Sequence, residues 1–349
     1  MNGNLTIALD AMGGDNAPEI VIKGAAIARV RYPDAKFLLF GDQARLRPLL
    51  DRNAKLAAVS TIHHTDQYIA ADEKPSIALR KGRESSMQLA INAVRDGDAQ
   101  CIISAGNTGA LMAMSKVTLR MLPGIDRPAI CALCPTRIGE SAMLDLGANI
   151  ECDANNLLQF GVLGAAYART LLGIERPTVG LLNVGEEDIK GGDVVKQAAA
   201  LLRDPTLPLE FRGFVEGNDI GAGSVNVFVI DGFAGNLMLK SIEGTVQLYS
   251  EYLRQAFRSS WSSRIAGFLA RSAFKRLKAR IDPRRYNGAT FLGLNGIVVK
   301  SHGSADGFGF ANAIGVGVDM VKNGLNDIVT REMASYAERH GEQDKALAN

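Results

Sequence analysis

Residues 101–122 read Cys101-Ile-Ile-Ser104-Ala-Gly-Asn107-Thr108-Gly-Ala-Leu-Met-Ala-Met-Ser-Lys-Val-Thr-Leu-Arg-Met-Leu122. A short apolar run, a Gly-Asn turn and a stretch of helix formers spell strand, loop and helix in that order. The pattern recurs along the chain. Strands are expected at Leu5–Asp10, Phe37–Gly41, Cys101–Ser104, Ala129–Cys134, Ala142–Leu146, Thr178–Asn183, Glu210–Phe214, Val225–Ile230 and Gly296–Ser301. Helices are expected at Pro18–Val30, Glu84–Arg95, Thr108–Leu122, Ala154–Leu172, Gly192–Leu202 and Ala305–Val321. That alternation predicts an α/β fold in three layers, a mainly parallel sheet with helices on both faces.

The totals agree. The chain has 349 residues, 47% hydrophobic and 22% charged, enough for a sizeable core and too apolar for global disorder. With no internal repeat and no linker, residues 1–349 read as one domain. Thirty-nine basic against 37 acidic residues leave +2 overall, which argues against a nucleic-acid partner. The four cysteines are too few for a disulfide framework; Cys131 and Cys134 lie in an apolar run and read as core. No run approaches a membrane span, and the N-terminal Met1-Asn-Gly-Asn4 lacks the basic and apolar regions of a leader. The expected compartment is the cytoplasm.

Seven polar clusters follow expected strands. They are Asp10-Ala-Met-Gly13-Gly14-Asp15, Ser104-Ala-Gly-Asn107-Thr108-Gly109, Asp145-Leu-Gly-Ala-Asn149 and Asn183-Val-Gly-Glu-Glu-Asp-Ile-Lys190. The others are Val215-Glu-Gly-Asn-Asp219, Asp231-Gly-Phe-Ala-Gly-Asn236 with Lys240, and Lys300-Ser-His302-Gly-Ser304. Ligands of open α/β sheets bind beyond the carboxyl ends of strands, so these clusters are expected to share one edge and one anion-receptive cleft. The standard signatures are missing. There is no G-x-G-x-x-G, no G-K-[ST], no H-E-x-x-H and no G-x-S-x-G, and the four histidines are scattered. Metal sites, NTPases, serine hydrolases and dehydrogenases are all weakened together.

Glycine turns meeting helix N-termini, with lysines beside them, suit phosphate or a developing oxyanion. Each residue also has a plainer role. Asn107 and Thr108 open a helix and fit capping as well as ligand binding. Lys190 could pair with Glu186 or Glu187, and Asn236 could be a helix cap.

As a set, these motifs resemble the bacterial phosphate acyltransferase family, in order from Leu5 to about Met320. The resemblance implies a Rossmann-like homodimer related in fold to phosphotransacetylases and isocitrate-type dehydrogenases. It also implies reversible acyl transfer from acyl-acyl carrier protein to inorganic phosphate, giving acyl phosphate for phospholipid synthesis. The family's active lysine and asparagine fall on Lys190 and Asn236. Around them Asp10, Gly13, Gly14, Asn107, Thr108, Asp145, Asn149, Asn183, Asp231, Lys240, His302 and Ser304 are candidate substrate-binding residues. Asp10 and Asp145 are expected to orient loops or a lysine. Phosphate is itself the nucleophile, so no triad, metal or organic cofactor is required.

One segment departs in composition. Residues 254–285 hold ten basic residues and one acidic, leaving 29 basic against 36 acidic elsewhere. Phe257, Trp261, Ile265 and Phe268 recur at spacings of three or four, so 245–287 reads as a basic amphipathic helical protrusion bent into two helices. Its stripe fits an anionic membrane surface, a dimer interface or the acidic carrier protein. A membrane glycerol-3-phosphate acyltransferase would consume the product. The competing readings are an oxidoreductase or a short-chain phosphate acyltransferase on the related fold, and a non-catalytic membrane scaffold.

Overall fold

A computed structural model describes residues 5–347; Met1-Asn-Gly-Asn4, where a leader would begin, lies outside them. Eleven strands form one sheet: β1 Thr6–Asp10, β2 Lys36–Gly41, β3 Ser60–His64, β4 Cys101–Ser104, β5 Ala129–Pro135, β6 Glu140–Leu144, β7 Thr178–Leu182, β8 Glu210–Val215, β9 Val227–Val229, β10 Ala289–Leu292 and β11 Ile297–Lys300. Their order across the sheet is β3-β2-β1-β4-β11-β10-β5-β6-β9-β7-β8.

Successive residues along the strands feed different cores. Ile7 and Leu9, Cys101 and Ile103, and Val227 and Val229 join one apolar cluster, while Ala8, Ile102 and Phe228 between them join a second. Side chains alternate across a strand, so these central strands are buried on both faces and helices must cover both. The helices Glu19–Arg31, Ala154–Leu172 and Gly307–Lys322 pack into the first cluster, and Ser86–Arg95 and Thr108–Leu119 into the second. The three-layer α/β/α architecture read from the sequence is present.

Local chemistry sets the ends of the helices. Asp153 caps Ala154–Leu172 through a reciprocal box with Asn156, and Gly173 closes it at φ 68°. The helix expected to run to Leu122 stops at Leu119. Arg120 takes φ 65°, and Met121 leaves to bridge with Leu294. Polar β3 and short β10 are strands that periodicity did not reveal. Cys131 and Cys134 both lie in β5, three residues apart and therefore on opposite sides, and remain free thiols.

Strand direction matters most for the site. From β3 to β11 all neighbours are parallel, and from β6 to β8 they are parallel again. Between these blocks lie three antiparallel pairings, β11 with β10, β10 with β5 and β5 with β6. An odd number of reversals leaves the two blocks pointing in opposite directions. The carboxyl ends of β1, β4 and β11 therefore lie on one edge of the sheet, and those of β6, β9, β7 and β8 on the other.

Candidate active site

That reversal corrects the expectation of a single shared edge: the seven clusters divide three and four. Asp10, Gly13, Gly14, Asn107, Thr108, His302 and Ser304 belong to the β1/β4/β11 edge. Asp145, Asn149, Asn183, Lys190, Asp231, Asn236 and Lys240 belong to the β6/β9/β7 edge.

On the β1/β4/β11 edge the polar groups are largely occupied by one another. Asp10 is buried and accepts from Ser86 Oγ and Ser104 Oγ, each at 2.6 Å. Burial pushes its carboxyl above the usual range, opposed by those two hydroxyls. A Cβ at Gly13 would stand 2.4 Å from Asp10 Oδ2 and 2.7 Å from Gly106 N, so the first and fourth strand loops touch there with no room for a side chain. Asn107 caps the helix Thr108–Leu119 through Ala110 N at 2.9 Å, and its amide donates to the Ala71 and Glu73 carbonyls, both at 2.9 Å. Its capping role is the one the structure displays. Thr108 is exposed at the first helical position. Ser304 Oγ and His302 Nδ1 lie 2.9 Å apart at the surface.

Lys300, quoted within a cluster but not singled out from the sequence, joins these loops. Its ammonium donates to the Ala105 carbonyl at 3.4 Å and to the Ser301 carbonyl. Burial pulls its pKa down to about 8, against the attraction of Asp10 and Asp15. Asn287 was also missed. It donates to Ser301 Oγ and accepts from His302 N, each at 2.8 Å, and bracing of this kind leaves no local sequence signal.

The other edge combines a rigid floor with unpaired polar groups. Asp145 is wholly buried and accepts from the backbone N–H groups of Ile130 (2.9 Å), Gly147 (3.2 Å), Ala148 (3.0 Å) and Asn149 (2.7 Å), and from the Asn149 amide (2.9 Å). Burial raises its pKa while these donors oppose the rise. Asn149 also donates to the Pro128 carbonyl at 2.7 Å. Asn183 closes the next loop by donating to the carbonyls of Gly185 (3.1 Å) and Lys190 (3.3 Å). Asp231 caps the helix Gly232–Arg258 through Ala234 N at 2.9 Å. The cap is thus Asp231, and the alternative of a capping Asn236 does not hold.

Asn236 and Lys240, one turn apart on that helix, are exposed, as is Lys190. A Cβ on Gly147 would meet Asn236 at 3.3 Å, which places Asn236 against the Asp145 loop. Lys190 lies in the loop after β7, the immediate neighbour of β9, from which the Asn236 turn leaves. Among the described residues Lys190 makes no ion pair; the acid of its loop that does pair is Asp188, with Arg203 at 2.6 Å. An ammonium and an amide with free donors therefore stand beyond the ends of adjacent strands, the amide against the loop fixed by Asp145. Such an arrangement can hold an anion and stabilise negative charge on a carbonyl oxygen. Among the described residues no group of His, Cys, Asp or Glu is placed to hold a metal ion.

The basic segment forms three helices, Gly232–Arg258, Trp261–Leu269 and Arg271–Arg280, one more than expected. Trp261 is 80% exposed, and Ile265 and Phe268 share its face. Phe257 leaves that stripe: its ring packs edge-on against Phe274 with centroids 4.7 Å apart, inside the helical turn-back. From Asn236 to Arg258 the helix rises about 33 Å, so the apolar tip stands well away from the β6/β9/β7 edge. No described helix is long and apolar enough to cross a membrane.

Comparisons with known proteins agree with this architecture. A family model described as "Fatty acid synthesis protein" matches residues 5–328. The phosphate acyltransferase of Rhodospirillum centenum is 59% identical over 334 residues, covering 96% of this chain and 94% of that protein. The phosphate acyltransferase of Rhodospirillum rubrum is 55% identical over 334 residues, 96% of each. Among solved structures, EutD phosphotransacetylase from Staphylococcus aureus superposes with TM-score 0.60 at 16% identity, over 91% of this chain and 94% of that one. A branched-chain phosphotransacylase from Enterococcus faecalis V583 gives 0.57 at 15%, over 91% and 99%. At such identities the last two share the fold.

Proposed function

The chain belongs to the fatty acid synthesis protein family, whose close relatives are phosphate acyltransferases, and on that premise we propose that it moves a fatty acyl group from acyl-acyl carrier protein to inorganic phosphate. It is an acyltransferase with phosphate as acceptor, working in fatty acid and phospholipid synthesis. Membership of this family displaces the oxidoreductase and scaffold readings.

The observation that supports the mechanism is that Lys190 and Asn236, whose side chains have no partner among the described residues, lie beyond neighbouring strand ends. A phosphate oxygen attacks the thioester carbonyl carbon, and negative charge gathers on the carbonyl oxygen. The C–S bond then breaks, acyl phosphate forms, and the carrier's thiolate leaves and takes up a proton. Lys190 offsets the charge of phosphate and oxyanion, and Asn236 donates to the reacting centre. Lys240, one turn beyond, adds a second cation to the same helical face. Holding two reactants in attack geometry supplies much of the rate, so no protein nucleophile is called for. Asp145, Asn149, Asn183 and Asp231 shape the loops rather than touch the dianion, as Asp10 does on the other edge. Gly13, Gly14, Thr108, His302 and Ser304 stand on the opposite edge and take no part in this step.

In this reading the protein is a cytoplasmic homodimer at the inner membrane face. Trp261, Ile265 and Phe268 enter the interface, basic residues of the same helices meet anionic headgroups, and a membrane glycerol-3-phosphate acyltransferase consumes the product. The decisive assay is thiol release from acyl-acyl carrier protein with and without phosphate, with acyl phosphate trapped by hydroxylamine. Thiol release that ignores phosphate refutes the reading. For the membrane part, Trp261→Glu should weaken co-sedimentation with anionic vesicles about tenfold while the oligomer stays intact; monomers instead would assign the stripe to a dimer interface.

A further inference from the structure

Phe233, Asn236, Leu237 and Lys240 are spaced by three and four residues and so share one face of the helix Gly232–Arg258. The opposite face faces the protein: Met238, Leu239 and Ile242 pack on the second core, and Gly235 abuts the Asp145 carbonyl. The outward face is unusual in its apolar members. Phe233 and Leu237 are 63% and 59% exposed, and in the neighbouring loop Val184 and Ile189, beside Lys190, are 80% and 81% exposed. A lone exposed leucine carries no message. Four large apolar side chains flanking the two unpartnered polar residues, on the ends of adjacent strands, do carry one.

We propose that Phe233, Leu237, Val184 and Ile189 form the track that receives the first methylenes of the substrate's acyl chain, and so set its chain-length preference. The proposal rests on acyl transfer at Lys190 and Asn236. A thioester carbonyl within hydrogen-bond reach of Asn236 Nδ2 has its adjoining methylenes within about one helical turn, where Phe233 stands about 5–6 Å from Asn236 and Leu237 stands about as far from Phe233 and Lys240. A saturated chain offers area and no hydrogen bonds, so apolar contacts alone can read its length. A second copy of this chain is the weaker occupant. Seated here, it would have to bury the Lys190 ammonium and the Asn236 amide, which is costly unless it supplied a partner to each.

The test compares hexadecanoyl and butanoyl thioesters of the carrier protein at fixed phosphate, using the full-length protein. The readout is the ratio of their kcat/KM values. Each methylene withdrawn from water is worth about fourfold. Phe233→Ser combined with Leu237→Ser should lower the ratio by about tenfold or more, and Val184→Ser with Ile189→Ser by severalfold. Both substrates are measured on one preparation, so any loss of folded protein cancels in the ratio. An unchanged ratio in both double variants overturns the proposal, and dissociation of a dimer with the ratio unchanged assigns the face to a second copy. A wild-type protein that releases thiol from neither thioester overturns the acyltransferase reading itself, a result distinct from an unmoved ratio.

Discussion

The two edges of the sheet use nearly the same alphabet of Asp, Asn, Gly and Lys to opposite ends. On the β1/β4/β11 edge, Asp10, Asn107 and Lys300 are all engaged with neighbouring protein groups. On the β6/β9/β7 edge Asp145 is saturated, while the Lys190 and Asn236 side chains stand exposed, with no hydrogen-bond or ion-pair partner among the described residues. A polar residue whose bonds are already made inside the protein maintains shape. One whose bonds are unmade is available to a ligand. Composition cannot separate the two; the inventory of partners can.

The sharpest way to break this contrast is to remove a floor residue and a free one and compare the damage. Asp145→Ala strands four backbone N–H groups and removes one of the two acceptors of the Asn149 amide, and should cost at least about 3 kcal/mol of stability in urea melts. An unaltered midpoint would show that the loop does not depend on that carboxylate. Lys190→Ala should leave the melt unchanged and lower kcat by about 10²–10³; turnover near wild type removes it from the chemistry. Asn236→Ala should lower kcat by about 10². Because Asp231 is the helix cap, its stability should shift by no more than about 0.5 kcal/mol. A large loss of stability with kcat intact would return Asn236 to a structural role.

Lys300 provides the finest test on the opposite edge. Its folded pKa of about 8 lies below its ordinary value of 10.5. Below pH 8 the ammonium is protonated in both folded and unfolded chains, and the burial penalty is constant. Between the two values the unfolded chain binds more protons, so stability rises with pH, at up to about 1.4 kcal/mol per pH unit. Lys300→Met should abolish that rise, measured as the difference between the two proteins' stability-pH curves. Parallel curves would mean that the ammonium is not held in the interior of the loops.

Much of this was legible in the sequence because local chemistry wrote it. Ala154–Leu172 falls where its spacing predicts since Asp153, Asn156 and Gly173 punctuate it. Cys101–Ser104 is bounded by the turn that Asn107 caps. Strand direction was not legible. Periodicity reports that β5, β6 and β9 are buried, but pairing β10 antiparallel between β11 and β5 is a tertiary event with no local mark. Hence each cluster does follow a strand, but the seven do not share one edge. The stripe from Phe257 failed similarly: helical spacing placed it with Trp261, but the chain turns between them and Phe257 faces Phe274 instead. Polar β3, with two histidines at its end, lacks the apolar alternation that announces a strand.

The helix Gly232–Arg258 has a mechanical meaning. Its first turns are wedged against the Asp145 loop, with Gly235 against a carbonyl and Gly232 hydrogen-bonded to Asn149. Its last turns lead to the exposed aromatic tip. It is therefore a lever with Asn236 near the fulcrum and Trp261 just beyond the free arm. A small rotation at the wedge sweeps the tip through a wide arc, and a force that fixes the tip returns along the helix to Asn236 as torque, braced by the packing of Phe257 on Phe274 in the turn-back.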